Sequence, residues 1–507
     1  MLHSDESTEE VLILGAGPNA LALALRMVEE KAMDVFNASQ VARMQFWESR
    51  RSREDSRVPG WKKLAQDKIR IFDRDGKWLS QWTRQFEALE IEFMRSPVSV
   101  HLDLFDSNAL REFAFRRERC AEICDLGGFD EILSVYFSKR SARSVRAISI
   151  NEQSRLLFDI PKSRLFIDFF SDLIERYELE NVVEKQTVQT ISFDQDSNLF
   201  SVWNTEGQLF RFRRIVYAGG VIQTPRIPDV FQNLDLFGSK IFHSSHLIGH
   251  CPGKLSRESL GGKSVAVLGG GLTAAQIALL GSTHGAKQVY LISRDYLRIK
   301  HFDFDVSWIS RSRNAQHTDF YLSDLKTKEK LLKQVRQGGS ITPEIMARLK
   351  LDRNVLIMQC RQVIGISLKQ EGIQDCPMIL ELDNRQTVCV DIVILATGSD
   401  PDVRTNPLFQ DLLSNHDLPF NKQSGLPVLN PDLSWENLPL HFTGAYASLE
   451  LGPHASNLIG ALTSSSRIFD SISSRLSSVE DQHEIESSEL VQRYVFGNPF
   501  EILEVES

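Results

Sequence analysis

A short apolar run that passes straight into a glycine-rich turn, and from there into a second apolar run, occurs twice in this chain. Val11-Leu-Ile-Leu14 leads into Gly15-Ala-Gly-Pro-Asn-Ala20 and on into Leu21–Val28. Far downstream, Ser264-Val-Ala-Val-Leu268 leads into Gly269-Gly-Gly-Leu-Thr-Ala-Ala275, Gln276–Leu280 opens the following helix, and Val289-Tyr-Leu-Ile292 reads as the next strand. An apolar run bounded by glycines suits a parallel strand buried on both faces. Strand, glycine turn and helix in that order open a βαβ unit. Two such units predict an α/β chain with two doubly wound, Rossmann-like dinucleotide-binding domains.

Two more strands end in glycine and are followed by proline. Ile215-Val-Tyr-Ala-Gly-Gly220 runs into Gln223-Thr-Pro-Arg-Ile-Pro228, and Asp391-Ile-Val-Ile-Leu-Ala-Thr-Gly398 into Ser399-Asp-Pro401. Such breakers past a strand mark exits from one domain to the other. The expected layout is discontinuous: a first domain over 1–245 that resumes over 405–470, a second inserted over 255–400, and a polar, Ser- and Glu-rich tail over 471–507.

At 507 residues the chain has length for about three domains, and 42% hydrophobic with 25% charged residues is an ordinary globular balance. No uncharged apolar run reaches the roughly 18–20 residues that cross a bilayer. The net charge of −9 argues against nucleic acid as the main partner. The acidic start MLHSDESTEE is unlike a secretory or transit peptide, and the expected compartment is the cytoplasm. Six scattered cysteines (120, 124, 251, 360, 376, 389) never form Cys-x-x-Cys, which leaves no zinc site and no redox disulfide. The mixed-charge run 50–77 and Arg140, Arg143 and Arg146 read as solvated surface, with the first also a candidate neighbour of an anionic cofactor.

In a βαβ unit the first glycine permits the tight turn, the second admits a pyrophosphate, and a small third residue lets helix pack on strand. The first unit offers Gly15, Gly17 and Ala20, with Pro18 stiffening the turn. The following strand, Met44-Gln-Phe-Trp47, ends in Glu48, a candidate ribose ligand for FAD, although it stands 28 positions after Ala20 against about 20 in the usual unit. The second unit offers Gly269, Gly271, Thr273 and Ala274. Its next strand ends in Ser293-Arg294, 20 positions after Ala274. A guanidinium in place of a carboxylate favours a 2′-phosphate, hence NADPH over NADH. FAD at one site and NADPH at the other permit hydride transfer to the flavin. The electrons can then pass to a protein or quinone, or to O2 through a flavin C4a-hydroperoxide that oxygenates a substrate.

These features resemble the flavoprotein monooxygenases with two dinucleotide domains, and among them the N-hydroxylating lysine/ornithine N-monooxygenases. The resemblance rests on the two glycine turns, on Ala396-Thr-Gly398, and on Thr443-Gly-Ala-Tyr-Ala-Ser-Leu-Glu-Leu-Gly-Pro453 with His454-Ala-Ser-Asn457 after it. It implies that Leu451, Gly452 and Pro453 neighbour the flavin ring and that Gly398 belongs to the cofactor site. His243-Ser-Ser-His246 resembles the linker of flavin monooxygenases, which would give His243 a part in coupling domain movement to reduction. Phe93-Met-Arg-Ser-Pro97 resembles the stretch where N-hydroxylases carry a substrate-binding lysine. Arg95 stands there, suited to hold a substrate carboxylate or orient the peroxyflavin but not to act as a base. His101 is the weaker neighbour.

The expectation is therefore an FAD- and NADPH-dependent monooxygenase acting with O2 on a small molecule, with an amine nitrogen as the candidate acceptor. No membrane span or nucleic-acid partner is expected, and homo-oligomer formation is left open. Two alternatives stand beside it: an NAD(P)H-dependent flavoprotein reductase, and a flavin-binding regulatory protein that has kept the fold without turnover.

Overall fold

The strand Thr8–Leu14 lies between two parallel neighbours, Ile69–Asp73 and Leu209–Tyr217, so that both of its edges are paired. A computed structural model describes this chain over residues 8–29, 69–126, 159–221, 224–232, 240–249, 255–303, 308, 313–336, 338–368 and 377–476. In an extended chain successive side chains point to opposite faces. Val11 and Ile13 accordingly enter one core with the helices Pro18–Val28, Ser163–Arg176 and Leu458–Leu476. Leu12 and Leu14 enter another, rich in rings: Phe72, Phe212, Tyr217, Trp435 and Phe442.

The strand belongs to an eight-stranded sheet ordered Ser434–Trp435, Leu438–Phe442, Leu209–Tyr217, Thr8–Leu14, Ile69–Asp73, Val183–Lys185. Val188–Asp194 and Leu199–Asn204 fold off as an antiparallel ribbon paired to Leu209–Tyr217. The helix Pro18–Val28 is buried from Ala20 through Val28, Arg26 included. A helix apolar all round is one sandwiched between layers, here between the sheet and Leu458–Leu476.

The second glycine unit builds a separate, wholly parallel sheet ordered Val355–Gln359, Gln288–Ser293, Ser264–Leu268, Ile392–Leu395, Ile241–His243. Leu272–Thr283 and Pro343–Leu351 pack on one face, and an antiparallel sheet of Val363–Leu368, Met378–Leu382 and Thr387–Val390 covers the other. The architecture is α/β with two parallel-sheet domains, as the glycine turns imply.

Two boundary expectations need correction, and several others fall outside the described residues. The first segment was set at 1–245, but Ile241–His243 pairs with Ile392–Leu395 and is the edge strand of the second sheet. Register explains this: three residues suffice to add an edge, too few to announce themselves in the sequence. The tail set at 471–507 begins within a helix, since Leu458–Leu476 runs past residue 471. Finally, the strand beside Thr8–Leu14 is Ile69–Asp73, whereas Met44–Trp47, Glu48, most of the charged run 50–77 and Arg140, Arg143 and Arg146 lie outside the described residues.

The proline-bearing exits run side by side. Pro225 bridges Ser399, the Arg226 N–H donates to the Gly398 carbonyl at 2.9 Å, and the Arg226 side chain pairs with Asp400. No helix among the described residues is long and apolar enough to cross a membrane. Cys120, Cys124, Cys360 and Cys389 are free thiols.

Candidate functional site

Gly15 sits at φ +99°, where a Cβ would stand 2.8 Å from the Ala218 carbonyl oxygen, so only glycine turns the chain here. Its N–H donates to the Phe72 carbonyl at 2.8 Å, which fixes the turn to the neighbouring strand. Gly17 is the opposite case: a Cβ there would meet nothing within 4 Å. It caps the helix Pro18–Val28 without any side-chain hydrogen bond. Pro18 fills the first helical position, where a missing N–H costs nothing. The bare helix start over open space is what a pyrophosphate needs. Asn19 adds a buried Oδ1 with no hydrogen-bond partner among the described residues, and Ala20, fully buried, lets the helix close on the strand.

At the end of the adjacent strand stands Asp73. Its Oδ2 accepts from the Ala16 N–H at 3.1 Å and its Oδ1 from the Asp75 N–H at 2.8 Å. A carboxylate at this strand end, beside the glycine turn, is where a βαβ unit meets the adenosine ribose. The sequence expectation for a ribose carboxylate is Glu48, which lies outside the described residues; Asp73 is a second candidate that sequence reasoning did not single out. The signal was present in Ile69-Arg-Ile-Phe-Asp73 followed by the turn at Arg74–Gly76.

The strand Leu438–Phe442 brings Gly444 over the same turn, its missing Cβ 3.4 Å from Asn19 Nδ2. Beyond it Leu451, Gly452 and Pro453 are buried, with Gly452 at φ +94°. The His454 ring stacks on His317 with centroids 4.6 Å apart. These residues fit FAD: a cradle at Gly17, a carboxylate at Asp73 and a buried segment at 451–453.

In the second unit a Cβ on Gly269 would collide with the Ala396 carbonyl oxygen. Gly271 caps the helix Leu272–Thr283, again without a side-chain bond; Thr273 is half-buried and Ala274 fully buried. Gly339, which sequence reasoning also missed, presses against this turn: a Cβ on it would lie 2.5 Å from Gly271 Cα. Ser293 is buried and its Oγ donates to the Asp295 carbonyl at 2.9 Å, while Arg294 is exposed at the strand end. A free guanidinium next to a bare helix start fits NADPH.

His243 and Gly398, predicted separately, meet. The Ser245 N–H donates to His243 Nδ1 at 3.1 Å, which assigns the proton to Nε2, and Nε2 donates to the Gly398 carbonyl at 3.1 Å. Burial pushes the imidazole down to about 4, so it is neutral at ordinary pH. His101 is structural: its Nδ1 accepts from the Asp103 N–H and its Nε2 faces the Ser107 carbonyl.

Arg95 reaches across to the inserted domain. Nε donates to the His301 carbonyl at 2.9 Å, Nη1 to Asp303 Oδ1 at 2.5 Å and to the Ser340 carbonyl at 3.5 Å, and Nη2 to the Lys300 carbonyl and Ser340 Oγ at 3.0 Å each. A guanidinium has five N–H donors, and all five have acceptors here. The expectation that Arg95 holds a substrate carboxylate is not the arrangement found; the side chain joins the domains. It borders a cavity of about 280 Å³ between them, whose apolar wall includes Phe93, Ile160, Leu272 and Phe302.

Residues 176–401 match the family model described as L-lysine 6-monooxygenase/L-ornithine 5-monooxygenase. No curated protein gives a significant match. Among solved structures, the cadaverine monooxygenase of the desferrioxamine biosynthetic pathway from Erwinia amylovora, bound to FAD, is similar at TM-score 0.61 and 14% identity, over 94% of this chain and 96% of that one. The ornithine N-hydroxylase of Kutzneria sp. 744, with reduced FAD, NADP+ and L-ornithine, gives 0.61 and 18% over 93% and 100%. The L-lysine 6-monooxygenase of Pseudomonas syringae gives 0.58 and 17% over 93% and 100%. At these identities the solved structures establish the shared fold.

Proposed function

We propose, from the premise that residues 176–401 carry the lysine/ornithine N-monooxygenase family match, that this chain is an FAD-dependent, NADPH-consuming monooxygenase that hydroxylates the nitrogen of a small amine. The observation that carries this reading is the pair of bare helix starts, at Gly17 and Gly271, within one chain whose domains Arg95 ties together. FAD, when bound, supplies the two-electron relay between NADPH and O2. The overall reaction balances as NADPH + H⁺ + O2 + R–NH2 giving NADP⁺ + H2O + R–NHOH.

The chain's own residues do the rest. Gly17 and the N–H groups behind it receive a pyrophosphate, and Asp73 takes the adenosine ribose. Arg294 reads the 2′-phosphate that distinguishes NADPH from NADH. Leu451–Pro453 cover the ring, and apolar walls keep water from the reacting centre. His243, neutral, holds the Gly398 carbonyl and with it the crossover between the domains. The free thiols suit a reducing cytoplasm.

The test is a coupled assay on the FAD-loaded protein, following NADPH oxidation, O2 uptake and hydroxylamine product together with a panel of amines. Equimolar product and NADPH consumption is the expected result. Rapid reduction of a quinone or protein acceptor without amine product would give the reductase alternative. A protein that binds FAD but is not reduced by NADPH would give the regulatory one.

A further inference from the structure

We infer that Gly338–Ser340 is a strap that closes the second dinucleotide site, and that the nucleotide must push it aside to seat its pyrophosphate. This rests on the NADPH-dependent reading above. In a glycine turn of this kind the second glycine lets the backbone approach the pyrophosphate. At Gly17 that approach is open, since a Cβ would meet nothing within 4 Å. At Gly271, its counterpart, a Cβ would stand 3.4 Å from the Gly339 Cα, so the strap fills the space. From the other side, a Cβ on Gly339 would lie 2.5 Å from the Gly271 Cα and 3.0 Å from its N. Backbone lies on backbone, and glycine at 339 is what allows it.

The strap is built to move about one end and is latched near it. Ile341 is the anchor: its side chain is fully buried in the inserted domain's core. Its N–H donates to the Arg298 carbonyl at 2.8 Å, and its carbonyl accepts from the Lys300 N–H at 3.0 Å. Gly338, at φ +84°, and Gly339 are both exposed and bring no side chain to hold them down. Between them and the anchor, Ser340 is buried and held from the first domain. Arg95 Nη2 donates to its Oγ at 3.0 Å, and Nη1 to its carbonyl at 3.5 Å. A pyrophosphate drawn to the start of the helix Leu272–Thr283 would displace Gly339 and release these Ser340 contacts. The bonds from Arg95 to Lys300, His301 and Asp303 would remain. Seating the nucleotide thus loosens one strand of the tie between the domains without cutting it.

Binding of NADP⁺, which cannot reduce the flavin, to the FAD-loaded chain tests this by calorimetry and by rapid-mixing kinetics, without turnover. A site that is mostly shut binds more weakly by the fraction that stands open. Ser340→Ala removes the Oγ contact of the latch, and Gly339→Ala keeps the strap from lying flat on Gly271. Each is expected to tighten NADP⁺ binding about tenfold, through faster association with dissociation little changed. A residue that merely shaped the nucleotide site would act in the opposite sense, giving weaker binding and faster dissociation. The two variants are independent, so one that folds poorly leaves the other to decide. Unchanged or weaker binding in a variant that melts like the parent overturns the strap, as does absence of NADP⁺ binding in all three proteins. If NADP⁺ binding tightens as expected while NADPH leaves the flavin oxidised, the monooxygenase reading fails and the strap stands.

Discussion

Arg336, at the end of the helix Leu325–Arg336 in the inserted domain, donates twice to the carbonyl of Pro453, from Nε at 3.2 Å and from Nη2 at 2.8 Å. Nη2 also donates to Ser456 Oγ. Pro453 closes the buried segment assigned to the flavin ring, so one domain grips the cofactor wall of the other. Arg95 makes the reciprocal tie, from the first domain onto Lys300, His301 and Ser340.

Breaking that grip should slow reduction before it harms the fold. A hydrogen bond from a charged donor is worth about 1.5–3 kcal/mol, enough to hold a domain orientation. Arg336→Ala is expected to slow anaerobic flavin reduction by NADPH about tenfold. Arg336→Lys should fall between, because an ammonium cannot reproduce the two-pronged contact. Rapid-mixing spectra of the three proteins decide it; equal reduction rates would mean the domains orient without this arginine.

The first two glycines of the first turn should separate fold from cofactor. Gly15→Ala forces a Cβ against the Ala218 carbonyl at φ +99°, so it should lower the melting temperature as well as FAD content. Gly17→Val places its side chain in space the protein leaves open, so the fold should stand while FAD is lost. Absorbance of the purified protein gives the FAD stoichiometry, and thermal unfolding gives stability. Stoichiometric FAD in Gly17→Val would remove the pyrophosphate from this turn.

The glycine turns and the helices they launch were readable from sequence because their causes are local. Consecutive residues set the positive φ of Gly15, the proline at the first helical position and the buried Ala20. Asp73 was passed over although its strand is legible in Ile69-Arg-Ile-Phe-Asp73, because a long segment separates Pro18–Val28 from Ile69–Asp73 and nothing local says that the two elements are neighbours. The role of Arg95 was hidden for another reason: its His301 partner lies 206 positions away, and nothing in Phe93–Pro97 says that its donors will be spent. Gly339 likewise has meaning only beside Gly271, which the fold brings to it.

Cofactor preference should follow Arg294. The exposed guanidinium of Arg294 directly follows the strand Gln288–Ser293, where the first unit carries the carboxylate of Asp73. Arg294→Ala is expected to raise KM for NADPH by about tenfold or more and to leave KM for NADH nearly unchanged. Steady-state assays with both nucleotides check it, and equal effects would remove the 2′-phosphate from this residue.

Acid sensitivity should trace to His243. Its imidazole is 2% exposed and held down to about 4 by burial, against about 6.5 in an unfolded chain. Between those values the unfolded chain binds the proton and the folded one does not, so stability rises with pH across that window. The neutral form's contribution is complete above about pH 6.5 and is lost as pH falls toward about 4, by up to about 3 kcal/mol. Denaturant unfolding at stepped pH should show this slope in the wild-type chain. His243→Gln, which cannot titrate, should make it shallower without removing it, because burial also pushes the His101 imidazole down, even if that variant is less stable throughout. A slope of equal size in His243→Gln would place the acid sensitivity on another group, and an intact Gly398 contact at low pH would agree with that.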